Sequence, residues 1–386
     1  MCLLLGASVS HEQPETWLQV LAIPSTAVVH RTGDRADTVL ELDLANRTAF
    51  RVRVERVVVA FLSGDRQIES VDLGKEFFKD PVFSRSARID GGQRIAWDAI
   101  CLDSVPPDAD RLRFDLELSG SRKLGPLQAT QSIEVALDPG PEPVVLRLPF
   151  EGYWLVSQGH TCSNNHRTAK FGHEFAWDFA AVGPGGTPGP AYRKSRLNVD
   201  AYGFGQPILA PAAGRVVRVV ADVTDNDGLE SYPRRSLLET LGRPEWIFGN
   251  FVVLDVGDGA FVLLGHLRRG SVAVAPGQLV QAGDRIGECG NSGNSQSPHL
   301  HMQIMNRPDP AHTEVQGLPG LLANYLEFSA GSEGRQGRVP AKKIEVGDPP
   351  EGSVIAPTAS GSRSRPRSGR SGDSGPSHAQ APASLP

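Results

Sequence analysis

Short stretches in which apolar and polar residues alternate recur along most of this chain, and they limit its fold more than any other feature. Leu40, Leu42 and Leu44, for example, are separated by Glu41 and Asp43. A period of two places one face of a β-strand in a core and the other in solvent. The composition agrees, because 42 glycines and 30 prolines in 386 residues supply many turns and interrupt long helices. The sequence therefore predicts a mostly β protein.

The first strand-rich region covers residues 11–140. The alternation returns in residues 112–118 and 133–137, with turn residues between the predicted strands. Short amphipathic strands of this kind favour an antiparallel β-sandwich. The Asp and Glu residues of the region fall on faces predicted to meet solvent. We therefore expect an accessory domain without a catalytic group.

Two further regions follow a stiff, proline-rich linker at residues 138–143. Residues 141–330 are again strand-rich and contain more glycine, which predicts a second β domain. Residues 331–386 are dominated by Ser, Gly, Pro and Arg, with a basic cluster between Arg363 and Arg370. Such a composition buries too little apolar surface to fold, so we expect a disordered tail.

The overall charge and hydropathy restrict the environment of the chain. A formal net charge of -5 gives no reason to expect a nucleic-acid partner. No apolar run reaches the roughly 20 residues that span a bilayer, so no transmembrane segment is predicted. Residues 1–10 are apolar and then small, like the end of an export signal. We expect a secreted or cell-envelope (periplasmic) protein, and its oligomeric state does not follow from the sequence.

The four cysteines are Cys2, Cys101, Cys162 and Cys289, and none belongs to a CxxC pair. A structural zinc knuckle is therefore not expected. Cys162 and Cys289 lie near candidate site residues and could be bridged or free. A nucleophilic role for Cys162 beside a histidine is a further hypothesis, without a supporting sequence signature.

The stretch from Gly290 to Ile304 begins as a polar loop and ends as a predicted strand. Its Gly and Asn residues tolerate the left-handed backbone of a sharp turn. His299 and His301 are two positions apart, so both side chains point to one face of an extended strand. Such a pair suits two metal ligands, or one ligand and one acid/base group.

Other polar residues interrupt apolar patterns in the same domain. Asp178 lies in the apolar run 175–180, where a carboxylate is costly unless it is paired or bound to a metal. His166 and His173 precede it, and His266 ends an apolar strand. A zinc hydrolase needs about three protein ligands, an open position for water and a group that moves protons. These residues are candidates for such a site.

Several motifs in order resemble the lysostaphin-like (LytM-type) zinc metallopeptidases of peptidase family M23. They are the segment 205–217, Gly249-Asn250, Gly265-His266-Leu267 and the loop and His-x-His of 290–301. The resemblance covers about residues 150–306. It implies a compact antiparallel β-sheet core of the duplicated hybrid motif type.

The resemblance also implies roles for the candidate residues. One zinc ion per chain would be held by His166, Asp178 and His301. His266 and His299 would be the non-ligand pair that orients water and stabilises the oxyanion. Asn164-Asn165-His166 resembles a subgroup with an Asn-x-His first-ligand motif, and His173 is the alternative first ligand.

Spacing along the chain bears on the choice of the first ligand. His173 precedes Asp178 by five residues, which places the two on opposite faces of a strand unless a bulge intervenes. The subgroup resemblance makes His166 the preferred first ligand, and this spacing is a smaller argument against His173.

The resemblance implies a zinc-dependent endopeptidase that hydrolyses cross-links or stem peptides of bacterial peptidoglycan. Some members of the family lack ligands and regulate other cell-wall hydrolases, so a catalytically silent binding module is the alternative. The presence of every expected ligand and both non-ligand histidines favours the enzyme.

Overall fold

Two β-rich domains, each with its own hydrophobic core, make up the computed structural model of the chain. It describes residues 16–32, 35–79, 85–122, 125–160, 162, 166, 171–183, 186–189, 192–228, 244–312, 314–329 and 340–358. The prediction of a mostly β protein is confirmed. Within the described ranges, no helix is long and apolar enough to cross a membrane. The proposed export-signal remnant, residues 1–10, lies outside the described residues.

The N-terminal domain is built from nine strands. These are β1 (Leu18–Ile23), β2 (Thr26–Thr32), β3 (Arg35–Asn46), β4 (Val52–Ser63), β5 (Arg66–Asp72), β6 (Arg88–Ile89), β7 (Arg94–Asp103), β8 (Arg111–Arg122) and β9 (Gly125–Asp138). A 3₁₀ helix at Glu76–Phe78 lies between β5 and β6.

The nine strands form a β-sandwich, as the alternating pattern predicts. One layer contains β1, β3 and β7, and the other contains β9, β8 and β4 with the short strands β5 and β6. Strand β2 joins the layers, because its first half runs parallel to β9 and its second half pairs antiparallel with β3. The apolar residues of both layers meet in one core, which includes Leu42, Phe61 and Phe114.

The described residues of the second domain contain thirteen further strands and little helix. The strands are β10 (Val144–Arg147), β11 (Trp154–Gln158), β12 (Trp177–Ala181), β13 (Pro207–Leu209), β14 (Gly214–Val220), β15 (Asn250–Gly257), β16 (Ala260–Leu267), β17 (Leu279–Val280), β18 (Arg285–Glu288), β19 (Leu300–Met305), β20 (Gly320–Phe328), β21 (Lys342–Gly347) and β22 (Val354–Pro357). The helical segments are α1 (Tyr192–Ser195), a 3₁₀ helix at Asn198–Asp200 and α2 (Pro244–Phe248).

Eleven of these strands form one sheet, in the order β10-β20-β22-β11-β12-β19-β16-β15-β14-β17, with β21 on β20. All pairs are antiparallel except β10 with β20. The remaining two strands, β13 and β18, pair with each other. This arrangement places β11, β12, β19 and β16 side by side, and these strands carry most of the candidate site.

The prediction that disorder begins at residue 331 is wrong for residues 342–357. Strand β21 pairs with β20, and β22 fits between β20 and β11. Val354 and Ile355 are fully buried there. This short apolar segment was hidden by the Ser, Gly, Pro and Arg content of the surrounding residues. The second domain therefore extends beyond residue 330, and the basic cluster 363–370 lies outside the described residues.

The two domains are joined covalently and by buried polar contacts. Cys101 of β7 forms a disulfide with Cys162, which follows β11 in the chain. His30 of β2 packs against His160 and Phe175 of the second domain, with both pairs of ring centroids 4.8 Å apart. Asp37, Glu41 and His30 are all buried. The prediction that every acidic residue of the N-terminal domain faces solvent is therefore wrong.

Candidate metal and catalytic site

Polar residues of three neighbouring strands, β11, β12 and β19, lie side by side across the large sheet, and β16 pairs next to them. Gln158 pairs with Asp178, Asp178 with His301, and His301 with Gly265. Since side chains alternate along a strand, the residues on either side of Asp178 and His301 point the other way. These neighbours, all buried in the main core, are Trp177, Phe179, Leu300 and Met302. The alternation therefore separates a packed face from a polar face.

Three of the predicted site residues come within metal-binding distance of one another. His301 Nδ1 lies 2.9 Å from Asp178 Oδ1, and His166 Nε2 lies 3.4 Å from Asp178 Oδ2. One ligand atom of each residue lies within 4.8 Å of the other two. Two imidazoles and a carboxylate are a common donor set for catalytic zinc. The residues present therefore fit the implied ion.

Gln303 fixes the orientation of His301. The Oε1 atom of Gln303 lies 2.8 Å from His301 Nε2, and its amide nitrogen donates to the Phe171 carbonyl at 2.9 Å. His301 Nε2–H is therefore the donor, and Nδ1 keeps a lone pair toward Asp178. The sequence already indicated that Gln303 lies beside His301, because residues 299, 301 and 303 are two apart and share one face of an extended strand. We did not predict the role of Gln303.

The other two predicted histidines present a second pair of imidazoles. His299 Nδ1–H donates to the Ser297 carbonyl at 2.7 Å, and its Nε2 lies 3.4 Å from Asp178 Oδ2. His266 Nδ1–H donates to the Ser292 carbonyl at 2.7 Å. The two ring centroids are 4.6 Å apart. In the neutral form of each ring, Nε2 is therefore the proton acceptor.

The loop before His299 is fixed by buried polar contacts. Ser292 Oγ donates to the Leu267 carbonyl at 2.7 Å and accepts the Asn250 backbone N–H at 2.9 Å. Gly293 has φ of +77°, and a Cβ atom there would lie 2.3 Å from the Gly249 nitrogen. Only glycine fits this close approach of two backbone segments. The polar Gly-Asn-Ser-Gly sequence therefore forms a rigid support.

Burial sets the protonation states of the imidazoles that surround Asp178. It lowers the pKa of His166 to about 4, although the Asp178 charge opposes the shift. It also holds the pKa of His266 and of His173 well below the ordinary value. These side chains are therefore neutral near pH 7, which is the form that binds a cation or accepts a proton.

For Asp178 and His299, interactions with neighbouring groups outweigh the effect of burial on the pKa. Burial alone raises the pKa of Asp178, but His166 and His299 lower it more strongly and keep it well below its ordinary value. For His299, burial lowers the pKa, but the Asp178 carboxylate outweighs this and raises it. Asp178 is therefore ionised, as a metal ligand requires.

A groove of about 320 Å³ opens over this cluster. Its walls include the end of β11, the end of α2 and the loop at residues 294–299. Gln158 is part of the lining, and its Oε1 atom is buried without a hydrogen-bond partner in the described ranges. The sequence did not predict that Gln158 lines this groove.

His173 lines the groove but lies outside the group of three. Its ring centroid is 5.4 Å from that of His166 and 6.2 Å from that of His301. Both of its ring nitrogens are buried and make no hydrogen bond to the described residues. The geometry favours His166 as the first ligand, and the Asn-x-His motif itself lies largely outside the described residues.

The disulfide of Cys162 contradicts the hypothesis that this residue is a nucleophile. Cys162 is bonded to Cys101, so its sulfur is not available as a thiolate. Cys289 is a buried free thiol, and burial raises its pKa. Neither residue serves as a nucleophile in this arrangement.

Residues 198–313 match the family model described as Peptidase family M23, so the chain contains a domain of this family. The match includes His266, His299 and His301. It begins after His166 and Asp178, which only the folded structure brings to the same place. The resemblance to the LytM-type peptidases is confirmed for this part of the chain.

Two curated relatives share this region. The chain is 44% identical over 84 residues to Endolysin 2638A of Staphylococcus phage 2638A, covering 21% of this chain and 17% of that protein. It is 35% identical over 71 residues to Peptidoglycan DD-endopeptidase ShyA of Vibrio cholerae, covering 18% of this chain and 16% of that protein. The chain therefore spans less than a fifth of the length of each relative.

Solved structures with low overall similarity include two peptidases. The catalytic domain of lysostaphin from Staphylococcus simulans has 21% identity and a TM-score of 0.20, covering 36% of this chain and 86% of that chain. A zinc-containing peptidase from Vibrio cholerae has 14% identity and a TM-score of 0.25, covering 72% of this chain and 81% of that chain.

Proposed function

We propose that this protein is a zinc-dependent endopeptidase that hydrolyses peptide bonds of bacterial peptidoglycan. The observation that carries the proposal is the grouping of His166, Asp178 and His301 beside two further imidazoles, at the base of an open groove. Similarity to an endolysin and to a peptidoglycan DD-endopeptidase supports the choice of substrate. The ligand assignment follows from the donor set and from the hydrogen bonds that fix it.

The three ligands would hold zinc, which polarises the scissile carbonyl and lowers the pKa of the attacking water. His266 and His299 then act at their Nε2 atoms, since both Nδ1–H groups donate to backbone carbonyls. Two acceptor nitrogens can orient the water, and one of them takes its proton. The imidazolium so formed stabilises the oxyanion and passes the proton to the leaving amine. Gln303 keeps His301 in its ligating tautomer throughout.

We further propose that the protein acts outside the cytoplasm, in the cell envelope or in the medium. Its Cys101–Cys162 disulfide supports this location, because such bonds persist mainly in oxidising compartments. The proposed substrate lies in the same compartment.

The test compares wild type with His166→Ala and His173→Ala, measuring zinc per chain and release of soluble fragments from purified peptidoglycan. We expect His166→Ala to lose about one zinc ion relative to wild type, together with all hydrolysis. We expect His173→Ala to retain its zinc. If zinc-loaded wild type releases no fragments, the enzyme proposal fails and a non-catalytic binding module takes its place.

A further inference from the structure

A second group of two histidines and one aspartate lies between the two domains. His30 comes from β2 of the sandwich, whereas His160 and Asp348 belong to the second domain. One ligand atom from each residue lies within 4.8 Å of the other two, the same limit that the proposed catalytic ligands meet. His30 and His160 are both 2% exposed. None of the three lines the catalytic groove.

The hydrogen bonds of His160 leave one nitrogen facing a carboxylate. Its Nε2 lies 2.7 Å from the Phe175 carbonyl, which can only accept, so Nε2 carries the proton. Its Nδ1 lies 3.0 Å from Asp348 Oδ2. With a neutral imidazole, two lone pairs would face each other at that distance. Either a second proton on the ring or a cation bound by both atoms removes the repulsion between these lone pairs.

His301 in the catalytic group has the same arrangement. Its Nε2–H donates to an amide oxygen, and its Nδ1 lies 2.9 Å from a carboxylate oxygen of Asp178. Donation of the distal N–H to a carbonyl or carboxylate is the usual support for a metal-bound histidine. His160 therefore has the orientation and support of a ligand.

The remaining two members are also oriented by neighbouring groups. His30 Nδ1 lies 3.6 Å from Asp37 Oδ1, the oxygen of a buried carboxylate. Trp177 Nε1–H donates to Asp348 Oδ1 at 3.0 Å and leaves Oδ2 toward His160. Carboxylates and ring N–H groups in these positions orient the atoms that contact a metal.

We propose that His30, His160 and Asp348 bind a second zinc ion, which fastens the N-terminal sandwich to the peptidase domain. Two imidazoles and one carboxylate suit zinc better than calcium or magnesium, which prefer oxygen ligands. The ion would lie close to the catalytic strand, because Phe175 and Trp177, which contact this group, come just before Asp178 in the chain. It would thus stabilise both the domain arrangement and the position of a catalytic ligand.

The experiment counts zinc in the purified full chain after exhaustive dialysis. We expect about two zinc ions per chain in wild type and about one in each of His301→Ala, His30→Gln and Asp348→Asn. The double variant His301→Ala with Asp348→Asn should retain none. The matched control is His312→Gln, an exposed histidine outside both groups, and it should retain both ions.

Cobalt substitution in His301→Ala tests the second group without altering any of its residues. We expect visible absorption bands of Co²⁺ held by nitrogen and oxygen ligands, and we expect Asp348→Asn to remove them. Near-ultraviolet circular dichroism checks that each variant is folded. If His30→Gln does not fold, the zinc content of Asp348→Asn is the test.

The proposal is overturned if wild type holds one ion and folded His301→Ala holds none. It is also overturned if His30→Gln and Asp348→Asn both keep two ions, since an imidazolium and carboxylate pair would then account for the contact. Failure of the peptidase proposal is a separate result, because it is the absence of peptidoglycan fragments from zinc-loaded wild type, whatever these ion counts are.

Discussion

The two His/His/Asp groups of this protein contain the same side chains in different surroundings. The group of His166, Asp178 and His301 lies at the base of a groove, beside two more imidazoles that can accept protons. The group of His30, His160 and Asp348 is enclosed by two domains and packed against Trp177 and Phe175. Catalytic zinc sites keep an open position, whereas structural sites are closed. Under the two proposals, access and neighbouring bases, rather than the ligands, distinguish the catalytic group from the supporting one.

Removing the His299 imidazole should produce the largest effect, and it should affect only the group of His166, Asp178 and His301. We expect His299→Ala to retain its zinc and to lower turnover about 10²–10⁴-fold, because one of the two imidazoles that can orient the water and take its proton is then lost. Rates of peptidoglycan-fragment release, with zinc measured on the same samples, check this. Unchanged turnover would contradict the role of His299, and loss of zinc would make it a ligand instead.

The disulfide should contribute more to stability than any single polar contact between the domains. Cys101 and Cys162 are separated by 61 residues, and closing a loop of this length in the unfolded chain is worth about 4 kcal/mol. We expect the double variant Cys101→Ala with Cys162→Ala to lose about this much free energy of unfolding in urea titrations. A loss below about 1 kcal/mol would mean that the enclosed polar group holds the domains without covalent help.

The support behind His301 should affect metal affinity rather than chemistry. We expect Gln303→Ala to weaken zinc binding at the catalytic group about 10–100-fold, since His301 loses the acceptor that fixes its tautomer. Competition with a chelator of known affinity measures the change. Gln206→Ala removes an exposed glutamine outside both groups and serves as the control. Equal zinc affinity in the two variants would refute the positioning role of Gln303.

A pair of tryptophan variants measures the smallest effect, the hydrogen bond to Asp348. Trp177 donates to this carboxylate, whereas the equally buried Trp154 donates to the Glu151 backbone carbonyl at 2.9 Å. Hydrogen bonds to charged groups contribute about 1.5–3 kcal/mol, and neutral ones about 0.5–1.5 kcal/mol. We expect Trp177→Phe to lose about 1 kcal/mol more unfolding free energy than Trp154→Phe. Equal losses would show that Asp348 does not depend on this donor.

Local patterns were enough to predict the fold class and to select residues that come together in the candidate site. Alternation of apolar and polar residues gave the β-strands, because it determines which side chains a pleated strand can bury. The His-x-His spacing placed His299 and His301 on one face, and the apolar run around Asp178 marked an expensive carboxylate. The predicted ligands His166, Asp178 and His301 come together in the structure, and their role as zinc ligands stays a prediction until metal is measured.

The predictions made from the sequence therefore came from patterns that span only a few neighbouring residues. Only the tertiary structure joined Cys101 to Cys162, placed β22 in the sheet, and brought His30 to His160 and Asp348. These contacts connect positions that are far apart in the chain, and no periodicity of a single strand encodes them. A lone histidine in a strand looks the same whether it meets a core, a solvent face or a metal. The packing of the two domains determines whether a given histidine meets a core, a solvent face or a metal.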